Sequence, residues 1–105
     1  MPIGQVREIP MTGPELLEQA AAVVAGRRDA YGEPIDQFER VAARWSQVLG
    51  TKLTPTQVVL CLIDLKIVRV THNPKHLDSI TDIAGYASIL AELLPDARAA
   101  QPPGE

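Results

Sequence analysis

The chain has 105 residues, too few for two hydrophobic cores, so a single domain is expected. Its formal net charge of −3 gives no general attraction to double-stranded nucleic acid or to anionic membranes. The only cysteine, Cys61, excludes an intramolecular disulfide, and its apolar neighbours predict a small core residue. Neither a membrane-spanning run nor a secretion signal is visible, so we expect a cytoplasmic protein without a membrane partner.

The first helix is predicted to begin with a capping box formed by Thr12 and Glu15, and to end at Gly26. Residues 1–11 show no clear period, and we expect a flexible arm or one that packs on a partner. Residues 27–34 are expected to form the loop that follows the first helix.

The second helix is predicted to begin at Pro34, because proline fits the first turn of a helix. Its apolar residues recur every three or four positions as far as Gly50, the pattern of an amphipathic helix. A third helix is predicted to begin with the capping residue Thr54. Residues 58–70 are apolar nearly all round, which is typical of a helix buried by neighbours on most sides.

The fourth helix is predicted to open at Asn73-Pro74 and to stop at Pro95. No alternating pattern indicates a sheet, so the predicted fold class is all-α. We expect a compact bundle of about four helices over residues 12–95, with the third helix central and buried. Residues 96–105 are expected to be a disordered tail. Because a short chain buries a limited share of its surface, a homo-oligomer is also expected.

Four charged residues on the third and fourth helices do not fit a simple bundle. Lys66 and Arg69 are three apart on the most hydrophobic helix, where a cation without an anionic partner is costly. Asp78 and Asp82 are four apart on the next helix and repel each other unless a cation offsets them. Gly85 costs about 1 kcal/mol relative to alanine inside a helix, which indicates close approach by another helix or by a ligand.

Two interpretations of these charges stay open. One is a structural salt-bridge cluster that ties the two helices together. The other is a polar pocket in which the cations hold phosphate and the carboxylates hold a divalent metal. The run from Arg27 to Gly32 adds two arginines and a tyrosine, which can grip a phosphate and stack on a base, although such a loop is equally often just solvated.

These residues resemble an uncharacterised family of short proteins from phages and prophages, over roughly residues 15–92. The resemblance rests on the following motifs: Gly26-Arg27-Arg28-Asp29-Ala30-Tyr31-Gly32, Phe38, Trp45, Leu65-Lys66-Ile67-Val68-Arg69, Asn73-Pro74 and Asp78-Ser79-Ile80-Thr81-Asp82-Ile83-Ala84-Gly85-Tyr86. It implies a phage-encoded protein acting in the bacterial host cytoplasm, and it implies no particular activity.

More distantly, the fourth helix is similar to the second metal-binding helix of MazG-like all-α nucleoside triphosphate pyrophosphohydrolases, which hold Mg²⁺ with acidic residues of two helices. This resemblance implies that Asp78 and Asp82 are catalytic metal ligands, and Asp36 and Glu39 would complete the site. The chain departs from the enzymes in two ways. Its acidic pair is spaced by four rather than three residues, and its third helix has cations where they carry Glu-Glu-x-x-Glu.

We therefore expect a nucleotide-binding protein of MazG-like type. The residues expected to bind the substrate are Arg27, Arg28, Tyr31, Lys66, Arg69 and Tyr86. If the protein is an enzyme, the expected reaction is magnesium-assisted hydrolysis of a nucleotide. One alternative is a non-catalytic phage protein that sequesters a nucleotide or a nucleotide-derived signal. Another is a structural or regulatory helical oligomer whose charges lock an interface.

Overall fold

The computed structural model describes residues 10–94, which contain four α-helices joined by short turns. The helices are α1 (Gly13–Tyr31), α2 (Pro34–Leu49), α3 (Pro55–His72) and α4 (Leu77–Glu92). The predicted all-α, four-helix fold is therefore confirmed. The predicted arm over residues 1–11 lies almost entirely outside the described residues, and the predicted tail over 96–105 lies wholly outside them.

Helix α1 is longer than its sequence predicts. Thr12 and Glu15 do form the capping box, in which each side chain accepts a hydrogen bond from the other residue's backbone N–H. Gly26 lies inside the helix. A glycine in a helix interior lowers the stability of the helix but does not have to end it. The end comes at Gly32, whose φ of 89° is a left-handed value that glycine adopts without strain. The prediction of a loop over residues 27–31 was therefore wrong.

The junction between α3 and α4 also differs from its prediction. Helix α3 begins at the predicted capping residue Thr54, which forms a capping box with Gln57, and it ends before Asn73. The Asn73 side chain accepts a hydrogen bond from the backbone N–H of Lys75, which stabilises the turn after α3. Helix α4 begins only at Leu77, so Asn73 and Pro74 belong to the turn and do not open the helix.

Helix α3 is the central helix, as predicted, because it packs mainly against α4 and α2. Helix α4 in turn packs against α1. Within residues 10–94, the main cluster of buried apolar side chains between these helices is Phe38, Ala42, Val58, Val59 and Ile89. None of the helices in the described part of the chain is both long enough and apolar enough to cross a membrane.

The side of α3 that faces away from the bundle is apolar and exposed. Leu60, Leu65 and Ile67 are between 43% and 47% exposed, and Val68 is 65% exposed. Cys61 is exposed too, so the prediction that it is a core residue was wrong. A run that is apolar all round does not reveal which of its residues the other helices cover. The outer residues of α3 are not covered by any part of the chain that the structure describes.

Candidate functional site

A cleft of about 320 Å³ lies between the last turns of α1, the start of α2 and the middle of α4. Apolar side chains from all three helices line it, among them Val24, Phe38 and Ile89. Its polar lining includes five residues singled out in the sequence, namely Arg27, Arg28, Tyr31, Asp82 and Tyr86. The cleft has the size and the mixed lining of a site for a small molecule.

Asp82 is the buried charge of this cleft, with a side chain only 7% exposed. Its Oδ2 lies 2.9 Å from Lys66 Nζ on α3, and its Oδ1 lies 3.7 Å from a guanidinium nitrogen of Arg27 on α1. The Lys66 side chain is itself only 13% exposed. A buried carboxylate is costly unless it is paired, and here each of its oxygens faces a cation from a different helix.

Arg27 is the cation of this group that remains open to solvent, with a side chain 49% exposed. Its 3.7 Å contact with Asp82 is too long for a hydrogen bond. A guanidinium has five N–H donors, and within residues 10–94 the Arg27 side chain uses none of them in a hydrogen bond. Arg27 is thus attracted to the buried carboxylate while its donors stay available to a ligand in the cleft.

Arg28 is held by two carboxylates that the sequence analysis did not single out. Its Nη2 donates to both carboxylate oxygens of Glu92, at 2.8 and 2.6 Å, and its Nη1 lies 3.5 Å from Glu33. These contacts join the end of α1 to the end of α4 and to the residue before α2. Glu92 comes seven residues after Gly85 and therefore lies on the side of α4 that faces α1. This spacing is the signal in the sequence that could have indicated Glu92 as a partner of α1.

Two tyrosines contribute rings to the cleft. Tyr31 is the last residue of α1 and is 65% exposed, whereas Tyr86 on α4 is half-buried and packs against the core. Beside Tyr86, a Cβ added to Gly85 would lie 3.3 Å from the Cγ2 of Val24. Of the two partners expected at Gly85, a helix or a ligand, the structure shows a helix, namely α1.

Five of the predicted site residues do not line the cleft: Lys66 lies behind it, paired with Asp82, and the other four lie away from it. Arg69 and Asp78 are exposed, and neither makes an ion pair within residues 10–94. Arg69 lies roughly 60° around the α3 axis from Lys66, since three residues fall short of a full turn, and it is on the exposed side of the helix. Asp36 and Glu39 are exposed on α2 and do not line the cleft. The structure therefore brings Lys66, and not Arg69, together with the acidic face of α4.

The predicted magnesium ligands are four carboxylates on α2 and α4: Asp36, Glu39, Asp78 and Asp82. In the described part of the chain, no three histidine, cysteine, aspartate or glutamate side chains lie close enough together to hold a metal ion. Asp82, the buried member, already faces Lys66 and Arg27. The four predicted ligands are therefore not gathered into one carboxylate cluster within residues 10–94.

Residues 15–94 match the family model of DUF6378, a domain of unknown function. The chain is 37% identical over 84 residues to the Gene 55 protein of Mycobacterium phage L5, a match that covers 77% of this chain and 54% of the phage protein. It is 34% identical over 79 residues to the Gene 55 protein of Mycobacterium phage D29, covering 74% and 52%. The chain thus spans about half the length of these two relatives. No solved structure matches it.

The family match begins in the first turn of α1 and ends after α4, so it includes all four helices and every residue that lines the cleft. The predicted resemblance to phage proteins without an assigned activity is confirmed at this level. The chain therefore belongs to the DUF6378 family.

Proposed function

We propose that this protein binds a phosphorylated small molecule, specifically a nucleotide, in the cleft between α1 and α4. The observation that carries the proposal is the position of Arg27. It lines the cleft, it has unused donors within the described chain, and a buried carboxylate lies behind it. An arginine of this kind binds phosphate oxygens by charge-assisted hydrogen bonds.

The charge of the group around Asp82 favours an anionic ligand. Lys66 and Arg27 bring two positive charges and Asp82 brings one negative charge, so the group keeps a net positive charge of one. Because Lys66 and Asp82 are nearly buried, the excess charge is presented to the cleft by the exposed Arg27. A phosphate group beside Arg27 would neutralise this excess positive charge.

The rest of the cleft suits the organic part of a nucleotide. The half-buried Tyr86 offers an aromatic ring and Val24 adds apolar surface, while the buried Phe38 and Ile89 form the apolar floor of the cleft. A planar base stacks favourably on such a ring. The exposed Tyr31 lies at the end of α1 next to the two arginines, where a second ring can cover a bound base.

The distant resemblance to MazG-like enzymes supports a nucleotide as the ligand class. Hydrolysis is not part of the proposal, because the described residues gather no set of carboxylates for magnesium. We therefore propose binding that does not require a metal. Of the functions that the sequence leaves open, this is the non-catalytic phage protein that sequesters a nucleotide.

Isothermal titration calorimetry with nucleosides and with their mono-, di- and triphosphates, each with and without Mg²⁺, tests the proposal. At least one phosphorylated nucleotide should bind without Mg²⁺, and its parent nucleoside should bind much more weakly. Arg27→Ala should lower the affinity roughly 10- to 100-fold, because a hydrogen bond to a charged group contributes about 1.5–3 kcal/mol.

The matched control is Arg44→Ala, which removes an exposed arginine of α2 that does not line the cleft and makes no ion pair within residues 10–94. It should leave the affinity unchanged. A panel without binding, or equal losses in the two variants, contradicts the proposed site. If binding requires Mg²⁺ and pyrophosphate is released, the proposal is wrong and the protein is a magnesium-dependent nucleotide pyrophosphohydrolase.

A further inference from the structure

Helix α3 carries a stripe of exposed residues that no other part of residues 10–94 covers. Cys61, Leu65, Val68 and His72 are spaced by four, three and four residues and are all exposed. This is the spacing of the residues that pack between the helices of a coiled coil. We call these four residues the α3 seam. An outer helix face that faced only water would be polar instead.

Two opposite charges flank the α3 seam. Asp64 precedes Leu65 and Arg69 follows Val68, so the two lie on opposite sides of the stripe. Both side chains are exposed, and within residues 10–94 neither makes an ion pair. In a coiled coil, charged residues at these flanking positions pair between helices and determine which partner binds and in which orientation.

We propose that the α3 seam pairs with the α3 seam of a second copy of this chain, with the two helices parallel about a two-fold axis. In a parallel coiled coil, the flank of one helix that carries Asp64 lies beside the flank of the other helix that carries Arg69. The residues that meet there belong to successive heptads. Asp64 of each copy then meets Arg69 of the other copy, which gives two symmetric ion pairs.

The charges favour a second copy in this orientation over other arrangements. An antiparallel pair sets like flanks side by side, so that carboxylate faces carboxylate and guanidinium faces guanidinium. A surface that carries its own complementary charge on the opposite flank is self-complementary, as a two-fold interface requires. The seam shares no residue with the cleft, so this inference goes beyond the proposed function and does not depend on it.

Cys61 provides a direct test, because the chain contains no other cysteine. In the parallel pair, Cys61 of one copy lies against Cys61 of the other, within the Cα separation that a disulfide allows. Mild oxidation with diamide should therefore link the copies. The two thiols give up two electrons and two protons to diamide, and one disulfide forms. A non-reducing gel should show a covalent dimer that Cys61→Ser abolishes, and failure to cross-link overturns the parallel seam.

Sedimentation velocity tests the interface without chemistry at the cysteine. The wild-type chain should be a dimer, and Val68→Glu should make it a monomer, because it places a carboxylate at the centre of the seam. Leu17→Glu is the matched control, since Leu17 is an apolar residue of α1 that is 62% exposed and should leave the dimer intact. A monomeric wild-type chain, or a dimer that survives Val68→Glu, overturns the proposal.

A charge exchange tests the orientation of the pair. Asp64→Arg places arginine beside arginine and should weaken dimerisation roughly ten-fold or more. The double variant Asp64→Arg with Arg69→Asp restores opposite charges and should recover most of the lost affinity. If the double variant dissociates as readily as the single one, the two residues do not pair across the interface.

Discussion

At the scale of single residues, Asp82 determines how the charges of the cleft are arranged. Among the acidic residues predicted from the sequence as site residues, Asp82 is the one that is buried. One cation from α1, Arg27, and one from α3, Lys66, lie close to its carboxylate. The sequence could predict that Lys66 needs an anionic partner on α4, because an unpaired buried cation is costly. It could not predict which aspartate, since Asp78 and Asp82 lie on adjacent turns and only the packing of α1 and α3 buries one of them.

Lys66→Met should lower the free energy of unfolding by about 3 kcal/mol, because it leaves the buried Asp82 with only the distant, half-exposed Arg27. Urea unfolding followed by the fluorescence of Trp45, the single tryptophan, measures the change. Lys52→Met, at an exposed lysine before α3, should change the stability by no more than about 0.5 kcal/mol. Equal effects from the two substitutions would show that the Lys66–Asp82 pair does not stabilise the fold.

At the scale of helices, the sequence predicts the starts better than the ends. The capping box at Thr12 and the cap at Thr54 form as predicted, because the side chains that close them are local in sequence. Gly26 and Gly32 look alike in sequence, and only the second one ends α1. The difference comes from tertiary contacts, since Arg27 and Arg28 are drawn to carboxylates of α4 while they are still helical.

Gly85 determines how closely α1 approaches α4, and it lines the cleft together with Val24. Gly85→Leu should destabilise the protein by about 1–3 kcal/mol and weaken ligand binding, because the added atoms overpack the contact with Val24. Gly26→Leu is the matched control in α1. Nothing lies within 4 Å of a Cβ added there, so it should stabilise the helix by about 0.5–1 kcal/mol. If Gly85→Leu is as stable as the wild-type chain, the two helices are not fixed by this glycine.

At the scale of the whole molecule, the candidate site is built from parts of the sequence far apart in the chain. Arg27 and Tyr31 come from one end of the helical region and Asp82 and Tyr86 from the other, and the α1–α4 contact brings them together. Composition and periodicity predict these helices and the core stripe of α2, but they do not predict that α1 lies against α4. For that reason the sequence centred the site on the charges of α3 and α4 and added Arg27, Arg28 and Tyr31 as further binding residues. The cleft instead lies between α1, α2 and α4, with Lys66 behind it.

The outer face of α3 links dimerisation to the stability of the whole chain. If folded chains pair through the α3 seam and unfolded chains do not, the melting temperature must rise with protein concentration. Differential scanning calorimetry over a wide concentration range should show this rise for the wild-type chain and for Leu17→Glu, and no dependence for Val68→Glu. A melting temperature independent of concentration in all three would show that the seam does not contribute to stability. Because the cleft lies on other residues, a bound nucleotide should raise the melting temperature of Val68→Glu as much as that of the wild-type chain at equal saturation.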